Sequence, residues 1–154
     1  MPNQSTNSMG KEDESVMVVP RGLLFKDESF QGFRKPEVVD YESRIAQYNS
    51  FMKRGTSQGN DPKFAEQNPN YKQPIPYILI LIPTGKIFAY RRSKKDQNYH
   101  EKRLQGKWSW GVGGHVSEID ATVLANIHRE INEEVSIDNK ELNPTDYHLK
   151  LLGY

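Results

Sequence analysis

The chain contains no cysteine. That excludes disulfide staples and thiolate nucleophiles, and leaves packing and polar contacts to hold the fold. Apolar residues are also scarce, at 35% of 154 residues with a mean hydropathy of −0.81. The longest apolar run, 77–82, has the length of a strand. A membrane helix would need about 20 such residues. Neither sign of charge is in excess, since the net charge is +1, so no global field draws the chain to nucleic acid or to an acidic membrane. Its first residues, including Gln4, Ser5, Asn7, Lys11, Glu12 and Asp13, lack the apolar segment of a secretory signal. These absences lead us to expect a cytoplasmic protein with neither a nucleic-acid nor a membrane partner.

A chain of this length buries one core, so one domain with an extension is expected. Residues 1–14 read as a disordered tail, 15–72 as an N-terminal strand and helix extension, and 73–154 as the core. A short strand at 16–19 is stopped by Pro20, with room for resumption at 23–25. Val38, Tyr41, Ile45, Tyr48 and Met52 recur at helical spacing, which predicts an amphipathic helix over 37–53. A loop follows at 55–60. Segments 75–82 and 86–91 flank Pro83, Thr84 and Gly85 and predict a hairpin whose first strand, nearly all apolar, is central. A polar loop over 93–107 precedes a strand at 108–112, and another strand is expected at 147–152.

The densest chemistry lies in residues 113–137, GGHVSEIDATVLANIHREINEEVSI. Residues three and four apart share a helix face, so Glu130, Glu133 and Glu134 face one way. Each like-charged pair costs roughly 0.2–0.5 kcal/mol on a free helix. The cluster therefore calls for a cation, either Arg129 and other side chains or a divalent ion. Hard oxygen donors favour Mg2+, Mn2+ or Ca2+ over Zn2+. Val123, Leu124, Ile127, Ile131 and Val135 form the opposite, apolar stripe. Asp120 reads as the N-cap before Ala121, and Ser136 ends the pattern.

On these residues the chain resembles the Nudix hydrolase family, whose box reads G-x5-E-x7-R-E-U-x-E-E-x-G-U, with U a bulky aliphatic residue. Arg129, Glu130, Ile131, Glu133, Glu134 and Ile137 occupy matching positions. The first half departs from the pattern. Counted from Gly114, Asp120 stands in place of the box glutamate, one extra residue precedes Arg129, and Ser136 replaces the late glycine. Segments 19–25, 66–80 and 101–116 are similar to a branch of the family described as candidate phosphoesterases.

The resemblance implies a Nudix-like α/β/α sandwich with a mixed sheet. It also implies Mg2+ or Mn2+ as cofactor and a phosphorylated small molecule as substrate, with cleavage of a diphosphate or phosphoester linkage of nucleoside-diphosphate type. Glu130 and Glu134 would be direct metal ligands. Glu133 would bind through water or act as base, and Arg129 would orient a carboxylate. Such a fold continues with further strands and a second packing helix, so a truncated piece is expected. The departures in the box favour, as the alternative, a binding or regulatory module with weak catalysis. Isopentenyl diphosphate isomerase, a relative with a similar Gly-His segment, depends on a catalytic cysteine and is excluded.

Around the helix, Gly113 and Gly114 either let backbone approach phosphates or simply turn the chain. Asp120 and Glu118 compete for the place of the missing glutamate, with a structural role favoured for Asp120. His115 is a candidate phosphate contact, although a hydrogen-bonding structural role is the better reading, and His128 is expected at the surface. Arg91 and Arg92, followed by Lys94, Lys95, Lys102, Arg103 and Lys107, form a basic stretch that either steers a phosphorylated substrate or is solvated loop. Trp108 and Trp110 share a strand face. Core packing is expected of them rather than stacking on a base.

Overall fold

The computed structural model describes residues 11–56, 59–92, 104–137 and 139–154. Its organising element is β1 (Ser15–Pro20). Along one edge β1 pairs antiparallel with β2 (Ser50–Lys53), and along the other with β3 (Tyr71–Lys72). Its second edge also takes a bridge from Val16 to Ser117, and the Met17 amide donates to the Val116 carbonyl at 2.7 Å.

Side chains alternate across a strand, and both faces of β1 are covered. Val16 and Val18 pack with Ala65, Met52 and Tyr71. Val19 packs with Leu24, Val39 and Tyr41 and with a ring of aromatics that includes Phe25, Phe30 and Tyr154. Val16, Val18 and Val19 are 0% exposed, and each such burial stabilises by roughly 1.5–3 kcal/mol. Tyr154 meets Tyr41 edge to face at 4.9 Å and exchanges two 2.8 Å backbone bonds with Arg34.

Several expectations change here. The tail reading fails at residues 12–14, whose carbonyls accept from Gly55 N, Lys53 Nζ and Arg54 N; residues 1–10 lie outside the described residues. Instead of a resumed strand, Pro20 leads into the five-residue helix α1 (Arg21–Phe25), whose Leu24 carbonyl is capped by Arg44 Nη1 at 2.8 Å. The long helix of 37–53 shortens to α2 (Tyr41–Tyr48). Asp40 Oδ1 caps it by accepting from Ser43 N at 2.9 Å, and Asn49 ends it, its Nδ2 donating to the Ile45 and Ala46 carbonyls. Met52 then belongs to β2, because pairing with β1 outweighs helical periodicity.

The hairpin forms around the expected turn: Gly85 N donates to Ile82 O, Ile82 N to Lys86 O and Phe88 N to Ile80 O. Its strands, however, are short and far from central. β4 (Ile78–Leu79) pairs with β7 (Gly111–Val112), and β5 (Tyr90–Arg91) with β6 (Trp108–Ser109). The expected strand at 108–112 is thus shared between two partners and breaks at Trp110. Leu81 is 67% exposed. Trp108 and Trp110 are exposed as well, against the expectation of core packing, since Ser109 and Gly111 take the inward positions of the alternation.

Among the described residues all the named ladders are antiparallel, in four small sheets rather than one mixed sheet. Residues 147–152 form no strand; β8 (Ser136–Ile137) and β9 (Lys140–Glu141) make a small hairpin before them. The main helix is α3 (Val123–Glu134). Among the described residues no helix is long and apolar enough to cross a membrane.

Candidate functional site

Helix α3 begins two residues later than expected. Thr122 is its cap, accepting from Ala125 N at 3.1 Å. Between Asp120 and Thr122 the chain turns through Ala121 at φ 60°, closed by a 2.7 Å bond from Thr122 N to Asp120 O. A left-handed alanine costs roughly 1 kcal/mol. This tight turn lies where the motif carries its extra residue, and it releases Asp120 from capping.

Asp120 turns inward and is buried. Oδ2 accepts from Ser117 N (2.8 Å), Ser117 Oγ (3.0 Å) and Asn126 Nδ2 (3.1 Å), while Oδ1 accepts from Arg129 Nε at 2.7 Å. Burial alone would raise its carboxyl pKa. The Arg129 guanidinium, the Ser117 groups and the Asn126 amide outweigh that and hold it at about 2. Glu118 is exposed. Of the two acids that competed for the box position, Asp120 is the one that joins the helix.

Arg129 links three carboxylates. Besides Asp120, its Nη2 lies 2.9 Å from Glu130 Oε1 and its Nη1 2.9 Å from Glu133 Oε2. The Asp120 bond leads the causes that raise its own pKa. Glu130 is buried, although helical spacing places it on the face opposite the apolar stripe. The buried stripe of α3 runs through Asn126, Glu130 and Ile131, whereas Leu124, expected inside, is exposed. Burial pushes the Glu130 carboxyl up from its ordinary range, and Glu134 and Glu133 add repulsion. Their sum exceeds the pull of Arg129, although Arg129 itself gains from the contact.

The glycines fit around this carboxylate. A Cβ on Gly114 would stand 2.6 Å from Glu130 Oε1, so bare backbone is what lets the carboxyl lie there. Gly113 adopts φ 147° with the Pro76 carbonyl against the place a Cβ would take. The His115 carbonyl accepts from Asn126 Nδ2 (2.9 Å) and Arg129 Nη2 (3.4 Å). Its ring Nε2 lies 3.6 Å from Glu66 Oε1, which also meets Arg54 Nε at 3.1 Å.

Glu134 ends the helix in an exposed position. His128 is half-buried, its Nδ1 paired with the Tyr147 hydroxyl. Arg91 and Arg92 are anchored on the neighbouring ladder: Arg91 Nε donates to Gly106 O at 2.9 Å and Arg92 Nη2 to Ser109 Oγ at 3.4 Å. Lys94, Lys95, Lys102 and Arg103 lie outside the described residues. Sequence reasoning missed Asn126, Ser117 and Glu66. For Asn126 a signal existed, because it stands one turn before Glu130 on the same stripe.

Three carboxylates, Asp120, Glu130 and Glu133, thus meet one guanidinium, and Glu134 lies close enough to repel Glu130, so these four acids and Arg129 sum to −3 when all are ionised. An all-oxygen donor set fits a hard divalent cation in kind. Among the described residues, however, no three Asp, Glu or His side chains converge on one point, Arg129 standing between them.

No family model matches the chain. It is 37% identical over 144 residues to protein YmaB of Bacillus subtilis (strain 168), a match covering 86% of this chain and 64% of that protein. It is also similar to the crystal structure of Tm1382, described as a candidate Nudix hydrolase, with a TM-score of 0.55 and 27% identity over 83% of this chain and 61% of the other. The chain therefore spans less than two thirds of either. The fold is Nudix-like, as the resemblance implied, although its sheets are small antiparallel ladders.

Proposed function

We propose that the chain carries the catalytic helix of a metal-dependent hydrolase that cleaves a diphosphate or phosphoester linkage in a nucleoside-diphosphate-type small molecule. The observation that carries this reading is the Glu130 carboxyl seated over Gly114 beside Arg129, with the charges of Glu133 and Glu134 close enough to repel it. The likeness to Tm1382 supports a hydrolase in general.

Glu130 and Glu134 hold Mg2+ or Mn2+ directly in this proposal. When bound, the ion neutralises phosphate charge and makes a coordinated water more acidic. Glu133 binds through water or takes the proton from the attacking water. Arg129, held by Asp120, fixes the carboxylates of Glu130 and Glu133 and pulls Glu130 toward its ionised form. Gly113 and Gly114 let backbone approach the phosphates, His115 adds a contact beside them, and Arg91 and Arg92 steer the anionic substrate.

The test is an assay with Mg2+ or Mn2+ against nucleotide sugars, dinucleoside polyphosphates, coenzymes and nucleoside triphosphates, with products identified by mass. Turnover that falls at least about 100-fold in Glu134→Gln is the expected result. Absence of turnover across the panel with both metals sinks the reading. A binding or regulatory module is the second reading, favoured by Arg129 standing where the carboxylates would otherwise converge. Diphosphate binding by calorimetry without any turnover would select it.

A further inference from the structure

We infer that Asn126 is a positioning residue that sets the Asp120, Arg129 and Glu130 arrangement over Gly114, an inference that rests on α3 being the catalytic helix. Asn126 is 0% exposed. Its single amide nitrogen donates to the His115 carbonyl at 2.9 Å and to Asp120 Oδ2 at 3.1 Å. One side chain thereby joins the glycine turn, the turn over 117–120 and the helix itself.

Arg129 Nη2 reaches the same two acceptors, at 3.4 Å and 3.2 Å. The position of those acceptors decides where the guanidinium sits, and the guanidinium holds Glu130 at 2.9 Å. The His115 carbonyl follows directly on Gly114, where a Cβ would collide with the Glu130 carboxyl. Asn126 thus acts on Glu130 by two routes, through Asp120 with Arg129 and through the backbone beneath the carboxyl.

The other half of the amide argues that geometry, rather than stability, is what Asn126 supplies. Its Oδ1 is buried and meets no hydrogen-bond partner among the described residues, and an unsatisfied buried acceptor is costly. Leucine has a similar size and no such atom. Loss of the amide would still leave Asp120 with Arg129 and both Ser117 donors, so the fold would survive while the alignment loosened.

The experiment compares Asn126→Leu, Asn126→Asp and Asn126→Ser with the parent protein. It reads thermal midpoint, the Arg129 Nε–H and Gly114 amide NMR signals, and kcat and KM with Mg2+. For Asn126→Leu the midpoint should stay within a few degrees, both NMR signals should move, and kcat should fall by about tenfold or more with KM within about threefold. Asn126→Asp places a second carboxylate beside Asp120. Its signals should move further at neutral pH and return part of the way as the pH approaches about 5. Asn126→Ser keeps one donor and should fall between, which secures the test if the leucine variant does not fold.

A folded leucine or serine variant with both signals unmoved and kcat within about twofold of the parent overturns the proposal. So does a lowered midpoint with unchanged kcat per folded molecule. If the parent turns over nothing, the functional reading fails, and the NMR shifts alone then decide the role of Asn126.

Discussion

Strand β1 and the hairpin over 75–91 are both rich in aliphatic and aromatic residues, yet only one of them is buried. Val16, Val18 and Val19 are sealed from solvent, whereas Ile75, Tyr77, Leu81 and Phe88 are largely exposed. The difference is the supply of partners. β1 has a strand on each edge and a packed cluster on each face; among the described residues β4 pairs only with β7. Apolar composition makes burial favourable, and neighbours decide whether it happens. Helix α3 shows the converse, with Asn126 and Glu130 inside and Leu124 outside.

The comparison is broken most strongly from its polar side. Arg129→Ala leaves Asp120 and Glu130 buried without their cation and should cost about 3–5 kcal/mol in urea unfolding. A loss under about 1 kcal/mol, the value of an exposed pair, would show that the cluster is not buried in solution.

Met17→Ala attacks the apolar side. It removes a side chain 2% exposed in β1 and should cost about 2–5 kcal/mol. Next comes acid. Because the Asp120 carboxyl is held at about 2 against an ordinary value of 3.8, its ionisation contributes roughly 2 kcal/mol. That contribution is present above about pH 4 and is lost as pH falls through about 2. Asp120→Asn should flatten that part of the stability-against-pH curve, and an unchanged slope would refute the assignment.

Leu81→Ala is the smallest expected effect, about 0.5 kcal/mol or less, because the side chain is already in water. Should it instead approach the effect of Met17→Ala, the hairpin has a partner in solution and the contrast with β1 disappears.

Much was legible locally. β1 was marked by its apolar run and Pro20, the hairpin by Pro83, Thr84 and Gly85, and α3 by the spacing that puts Arg129 and Glu133 on one face. These features depend on residues a few positions apart, where backbone geometry leaves little choice. The helix over 37–53 was misread because its periodicity continues through Met52, while the pairing that makes 50–53 a strand comes from β1, more than thirty residues earlier.

The sequence by itself determined which charges share α3, that a cation must stand among them, and that no thiol takes part. Only the tertiary structure decided that Arg129 links three of the acids, that Asp120 is a buried brace rather than a cap, and that Asn126 ties the glycine turn to the helix. The physical reason is that burial sets the strength of a charge or hydrogen bond. Burial at α3 is fixed by where the loop over 113–120 folds back, which no local spacing encodes.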